Sequence, residues 1–255
     1  MICFEFPASE RVRFWLRLEQ LYERLFSLIL GSDPAIHHAA LQAFFELLDV
    51  ISRMDTKTDL LKKLSQQKSA LQSCANCDLQ KLTKMLRSID EITPLLFQLT
   101  KFGWQIRQNE WLMLLKQRFN ISGGMCQCDL PSYFVWQTKS AAQRQQDLNG
   151  WIEPLRPIYQ AVHLLLGILR EFSEQRDCVA QSGSFQLMLS DQRTQLFRVC
   201  LTKNLRIMPE FFASKYMFSI HFMQMSTDQI RTKSIEQDIA FVLSSCALQK
   251  LGCMA

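Results

Sequence analysis

By type, the side chains best equipped for chemistry in this sequence are its nine cysteines and four histidines. Two cysteine pairs are close along the chain, Cys74-Ala75-Asn76-Cys77 and Cys126-Gln127-Cys128. Together they would offer four thiolates to zinc, but the second spacing is tighter than the gap of roughly two to four residues used by structural zinc sites, and no histidine pair lies nearby. Unpaired thiols in loop and strand are expected instead, because in a reducing cytosol a cysteine packs as a small hydrophobe. His37 and His38 are adjacent, so on a helix they point about 100° apart and cannot hold one metal from the same face. His163 falls in an apolar helical run and reads as a packed core histidine. No metal and no other cofactor is expected.

Nucleophilic and phosphate-binding chemistry has no better footing. Gly31-Ser32-Asp33 reads as a helix start rather than a nucleophile elbow, and Ser122-Gly123-Gly124 lacks the lysine and spacing of a phosphate loop. Nothing singles out one cysteine for a Cys–His pair. The chain is therefore expected to be a binding protein and not an enzyme.

The charge balance, 29 basic against 24 acidic residues, gives a net +5, too small to make nucleic acid the default partner. Between residues 60 and 120 ten basic side chains, from Lys62 to Arg118, face only Asp78, Asp90, Glu91 and Glu110. That segment can attract an acidic surface. Nucleic-acid binding through it is the alternative reading, but the 18 phenylalanines and five tryptophans that would supply stacking platforms mostly recur at core periods.

The elements that must position these groups follow from periodicity. Ser9 caps a first helix in which Val12, Trp15, Leu18, Tyr22, Leu25 and Ile29 form the buried stripe, while Arg13, Arg17 and Arg24, with Gln20 between them, make a basic ridge on another face. Asp33-Pro34 opens a second helix through Leu41, Phe44, Phe45, Leu48 and Ile51. A third begins at Thr58 or Asp59. Asp78 caps a fourth, with Pro94 predicted to kink it, and a short fifth starts at Asn109. After Gly123 the segment 123–136 reads as extended, turned by Leu130-Pro131 and reaching toward the sheet. Helix resumes near Ser140 and continues past Pro154 and Pro157 to Phe172.

Beyond Cys178 the period changes to two. Phe185–Leu189, Gln195–Leu201, Met217–Met223 and Ile239–Leu243 read as an antiparallel sheet. In the third strand Phe218, Ile220 and Phe222 face one way, Ser219 and His221 the other. The expected class is α+β: a mainly helical domain over 1–176 packed against a smaller antiparallel β domain over 177–255. With 255 residues, 48% of them hydrophobic, both can bury a core. Apolar stretches fall far short of the roughly 18 residues needed to cross a bilayer, and the first seven residues do not look like a signal peptide. A cytoplasmic protein without membrane insertion is expected.

Several stretches resemble the ZapD family. Phe4-Glu5-Phe6-Pro7 followed by Glu10, Arg13, Trp15-Leu16-Arg17 and Glu19 is similar to its N-terminal signature. Glu46-Leu47-Leu48-Asp49 with Arg53, then Thr58 and Leu60-Leu61, is similar to its second and third helices. The most specific stretch is Gln117-Arg118-Phe119-Asn120-Ile121-Ser122-Gly123-Gly124, continuing through Cys126, Asp129-Leu130-Pro131 and Trp136. Trp151-Ile152, Leu155, Pro157, Lys215, Phe218, Ile220 and Phe222-Met223 extend the likeness over nearly the whole chain.

The resemblance implies a homodimer at the mid-cell division site. It also implies binding to the C-terminal tail of FtsZ through basic residues and bundling of FtsZ filaments, without nucleic acid. Carried onto this sequence, the tail-binding set is Arg13, Arg17, Arg53, Arg118, Lys215 and His221. The basic set is thinner than the family pattern, with Trp111, Phe134 and Met217 at further basic positions and His221 where an arginine is expected.

Overall fold

The computed structural model describes residues 1–52, 55–73, 78–99, 104–189, 194–202, 207–225 and 232–247. From the N-terminus come β1 (Ile2–Pro7), α1 (Glu10–Ile29), α2 (Pro34–Ser52), α3 (Thr56–Gln72), α4 (Leu79–Gln98), α5 (Trp104–Arg107), α6 (Glu110–Phe119), α7 (Pro131–Gln137) and α8 (Ala141–Ile152). A 3-10 turn at Glu153–Leu155 leads into α9 (Arg156–Glu171), followed by β2 (Ser173–Ala180), β3 (Ser184–Met188), β4 (Leu196–Leu201), β5 (Ile207–Ala213), β6 (Met217–Met225), β7 (Thr232–Ser234) and β8 (Ile239–Cys246). The α+β class is borne out. The described residues belong to two compact units, one drawn from Met1–Phe14, Ala70–Cys77 and Leu166–Ala255, the other from Trp15–Ser69 and Asp78–Leu165.

In the helical unit the caps are where the sequence puts them, with one shift. Ser9 accepts from the Val12 amide at 3.3 Å, Asp33 from the Ala35 amide at 2.7 Å, Asp78 from the Gln80 amide at 2.9 Å and Asn109 from the Leu112 amide at 3.0 Å. Each offers a side-chain oxygen to an amide that the first turn leaves unpaired. The shift is at α3, which starts two residues early at Thr56 because Asp55 caps it, accepting from the Thr58 amide at 3.4 Å. All six residues of the expected α1 stripe are buried, as are Leu41, Phe44, Phe45, Leu48 and Ile51 of α2.

The segment 123–136 is not extended. After a run of turns it forms α7, with Pro131 at the first helical position and Tyr133 and Trp136, three residues apart, on its buried face. Proline there costs no hydrogen bond and brings a helix-compatible φ, so Leu130-Pro131 starts an element where the sequence was read as turning one. Tyr133 is fixed by a bond to His38 Nδ1 at 2.7 Å and another from Gln137 at 2.9 Å. Burial pushes its phenol up to about 12.

Among the described residues two charged side chains of this unit are buried, Glu19 and Arg144. Arg144, 4% exposed, donates to Ser32 O at 2.6 Å, Gln137 O at 2.9 Å, Lys139 O, and His37 Nδ1 at 2.9 Å. With Nδ1 accepting, His37 Nε2 carries the proton given to Ile29 O at 3.3 Å. The start of α2 and the segment before α8 are thereby tied through one guanidinium.

The strand-built unit holds two four-stranded sheets rather than one: β1-β4-β8-β2, and β3-β6-β5 with β7 on β6, with every pairing antiparallel. The sequence reading found β3, β4, β6 and β8, and missed β1, β2, β5 and β7. It ended the helix at Phe172 and assigned no strand before Phe185, whereas β2 opens at Ser173. Phe197 of one sheet stacks on Phe218 of the other at 4.1 Å. Around them Val199, Leu201, Ile220, Phe222, Phe241 and Leu243 complete a core between the sheets. Phe218, Ile220 and Phe222 do point inward and His221 outward, but Ser219 is also buried.

The register of β1 on β4 sets Cys3 opposite Cys200, and the two are joined as a disulfide. Thiols were expected at both. Pairing across 197 residues of sequence depends on strand register, which spacing along the chain does not carry. Beside it Glu5 takes a two-pronged bond from Arg170, at 2.9 and 2.8 Å, and forms an ion pair with Arg198 at 3.0 Å.

Candidate functional site

Arg17, Gln20, Leu21 and Arg24 recur on α1 at steps of three and four, so they share one helix face. Glu46, Asp49 and Val50 do the same on α2. Between these two faces lies an open groove of about 540 Å³ lined by all seven. Its charges are mostly spoken for. Arg24 pairs with Glu46, and Asp49 with Lys116 of α6. Arg17 is exposed and has no hydrogen-bond or ion-pair partner among the described residues. The groove thus offers one open guanidinium, whose planar fork suits a carboxylate, beside an apolar floor at Leu21 and Val50.

The other expected contact residues are scattered. Arg13, one turn before Arg17 on α1, is paired with Glu10 at 3.2 Å. Arg118 sits half-buried in the last turn of α6 and does not line the groove. Arg53 lies outside the described residues. In the strand-built unit Lys215 occupies the β5–β6 turn, its ammonium 5.4 Å from the centre of the Tyr216 ring. His221 lines a smaller depression of about 280 Å³ with Glu210, Phe212 and Ser234 among others. It stands opposite Glu210 of β5 and Ser184 of β3, and Phe212 meets its ring edge-on at 5.5 Å. Lys215 is not part of that lining.

In the basic segment from 60 to 120, Lys68 pairs with Asp90, Arg87 with Glu91 and Lys116 with Asp49. Its positive charge is partly neutralised locally. Sequence reasoning placed Arg24 on the ridge but left it, Glu46 and Asp49 out of the site. The signal was present in the three-and-four spacing of both helices.

The surroundings of His163 also differ from expectation. His163 is exposed, not packed in the core, because it falls on the face of α9 that carries Tyr159 one turn earlier. Its Nδ1 lies 3.2 Å from Glu19 Oε1, and Glu19, Glu23 and His163 bring three ligand atoms within 4.8 Å of one another. Glu19 is buried and the other two are exposed. Burial and then the charges of Glu23 and Glu19 raise the Tyr159 phenol pKa. Cys126 and Cys128 have two sulfurs and no third ligand among the described residues, and Cys74 and Cys77 lie outside them. No described helix is long and apolar enough to cross a membrane.

Comparison with known proteins matches residues 16–221 to the family model of ZapD, described as a cell division protein. The Cell division protein ZapD of Chromobacterium violaceum is 45% identical over 250 residues, covering 96% of this chain and 99% of that protein. Its namesake in Janthinobacterium sp. strain Marseille is 41% identical over 252 residues, covering 97% and 100%. That from Azoarcus sp. strain BH72 is 37% identical over the same length. The likeness runs through α1 and α2 with their groove, and the chain belongs to the ZapD family of cell division proteins.

Proposed function

We propose that this chain is a non-enzymatic division factor that binds the C-terminal tail of FtsZ in the α1–α2 groove. As a homodimer with two such grooves it cross-links FtsZ filaments and promotes assembly of the mid-cell ring in the cytoplasm. The observation that carries the reading is Arg17, a guanidinium without a partner among the described residues, in an open groove whose other charges are paired. A tail carboxylate would supply the missing partner, and a charge-assisted bond of roughly 1.5–3 kcal/mol follows from such a pair. Arg13, Arg53, Arg118, Lys215 and His221 are kept as secondary contacts. Each link can be weak, because many act together along a filament.

Sedimentation of FtsZ filaments tests the reading. The protein should bring added FtsZ into the low-speed pellet, and Arg17→Glu should abolish this while leaving the melting temperature unchanged. Raising salt from about 0.1 M to about 1 M shortens screening from about 10 Å to about 3 Å and should dissolve the bundles. Normal bundling by Arg17→Glu overturns the groove as the site. A monomer at micromolar concentration in analytical ultracentrifugation overturns the cross-linking geometry, which needs two grooves on one particle.

A further inference from the structure

Between α6 and α7 the chain makes a series of turns that leave Cys126 and Cys128 exposed on the surface. Their sulfurs are 3.2 Å apart, with the Cys128 thiol donating to Cys126 Sγ. The backbone holds them there, since the amides of Asp129 and Leu130 both donate to Cys126 O, at 3.0 and 3.1 Å. Two thiols in contact, both open to solvent, differ from the other free cysteines among the described residues: Cys178 is half-buried and Cys246 buried.

We infer that Cys126 and Cys128 form a reactive dithiol site whose substrate is a low-molecular-weight disulfide. Cys126 attacks first. Its thiolate is stabilised by the Cys128 backbone amide and then by the Cys128 thiol, which lowers its pKa, while the same sharing raises that of Cys128. The nearby Asp129 carboxylate opposes ionisation of both. The first proton of the pair therefore leaves readily and the second with more difficulty. Burial raises the thiols of Cys178 and Cys246, the latter to about 11. An exposed thiol of lowered pKa beside a second thiol is the arrangement that redox-responsive cysteines share.

The exchange balances in two steps. Cys126 thiolate attacks one sulfur of a disulfide RSSR, forming a protein–SR mixed disulfide and expelling RS⁻. Cys128, giving up its proton, attacks Cys126 Sγ and expels the second RS⁻. The protein dithiol loses two electrons and two protons, and RSSR gains them as two RSH. Little backbone movement is needed, because the resolving sulfur is already at 3.2 Å.

The test treats the reduced full-length protein with oxidised glutathione and follows each cysteine by peptide mass mapping. In the parent, Cys126 and Cys128 should become linked to each other with release of two reduced glutathiones and no lasting adduct. Cys128→Ser should instead accumulate a glutathione adduct at Cys126. Cys126 should be modified faster than Cys178, since it is exposed with a lowered pKa whereas Cys178 is half-buried with a raised one. Equal rates at Cys126 and Cys178, a stable adduct in the parent, or no adduct in Cys128→Ser would each overturn the inference.

Discussion

In the helical unit a guanidinium, Arg144, is taken into the interior and satisfied by three carbonyls and a histidine. The strand-built unit instead gives its interior to Phe197, Phe218, Phe222 and their aliphatic neighbours, and the trio of Glu5, Arg170 and Arg198 is only partly buried. The contrast continues at the surface. The α1–α2 groove pairs Arg24 with Glu46 and Asp49 with Lys116, so Arg17 stands out as the charge left over. On the outer face of β6, His221 shares its depression with Glu210 and the Phe212 ring. An open charge is informative only where its neighbours are accounted for, and the helical groove meets that condition better than the sheet face.

The two interiors can be broken separately. Phe218→Ala should cost about 3–5 kcal/mol, because it removes a ring stacked between two sheets and leaves a cavity. Arg144→Met keeps the aliphatic stem but strands three partly buried carbonyls and the buried His37 Nδ1, at about 1–3 kcal/mol for each buried group left unsatisfied. Partial relaxation of the carbonyls should hold the total near 3 kcal/mol. Urea denaturation of both variants checks the comparison, and an Arg144→Met cost below about 1 kcal/mol would mean that water replaces the guanidinium easily and that the helical interior is wetter than its hydrogen bonds imply.

The groove itself can be sharpened by freeing a second charge. Glu46→Gln removes the partner of Arg24, whose side chain is half exposed. A surface pair is worth about 0–1 kcal/mol, so releasing Arg24 should strengthen binding of an FtsZ tail peptide by up to about fivefold. Arg17→Ala should weaken it by tenfold or more. Fluorescence anisotropy with the tail peptide reads both. Weakened binding by Glu46→Gln would show that the Arg24–Glu46 pair shapes the groove rather than competing with its ligand.

How much of this was legible follows the range of each interaction. Caps and the α1 stripe act within one or two turns, and Ser9, Asp78 and Asn109 were placed correctly from local spacing alone. Arg17 was legible for the same reason, as a member of a ridge at three-and-four spacing. The pairing that makes it distinctive was not, because Arg24 and Glu46 are separated by 22 residues and Asp49 and Lys116 by 67. Register-dependent facts were beyond reach in the same way, among them the Cys3–Cys200 disulfide and the division of the strands into two sheets. At α7 the local signal itself was ambiguous, since Leu-Pro both ends and begins helices. His163 was misplaced because an apolar run hides which face of α9 each residue takes.

The smallest effect is expected at His221, and it decides whether the sheet face takes part at all. The imidazole lies in register with Glu210, a carboxylate that already faces it across the strand pair, and its ring edge is covered by Phe212. An acidic peptide approaching it would also approach Glu210, and like charges at such a distance repel. Cross-strand pairs of this kind contribute roughly 0.2–1 kcal/mol, so most of what His221 can offer is spent inside the sheet. His221→Ala should therefore change tail-peptide binding by less than about twofold, and Glu210→Gln should strengthen it by a similar factor if the face is reached. Anisotropy measured on both variants alongside Arg17→Ala separates the two regions. A loss at His221→Ala as large as that at Arg17→Ala would make the sheet face a principal contact and the leftover charge of the groove only one of two anchors.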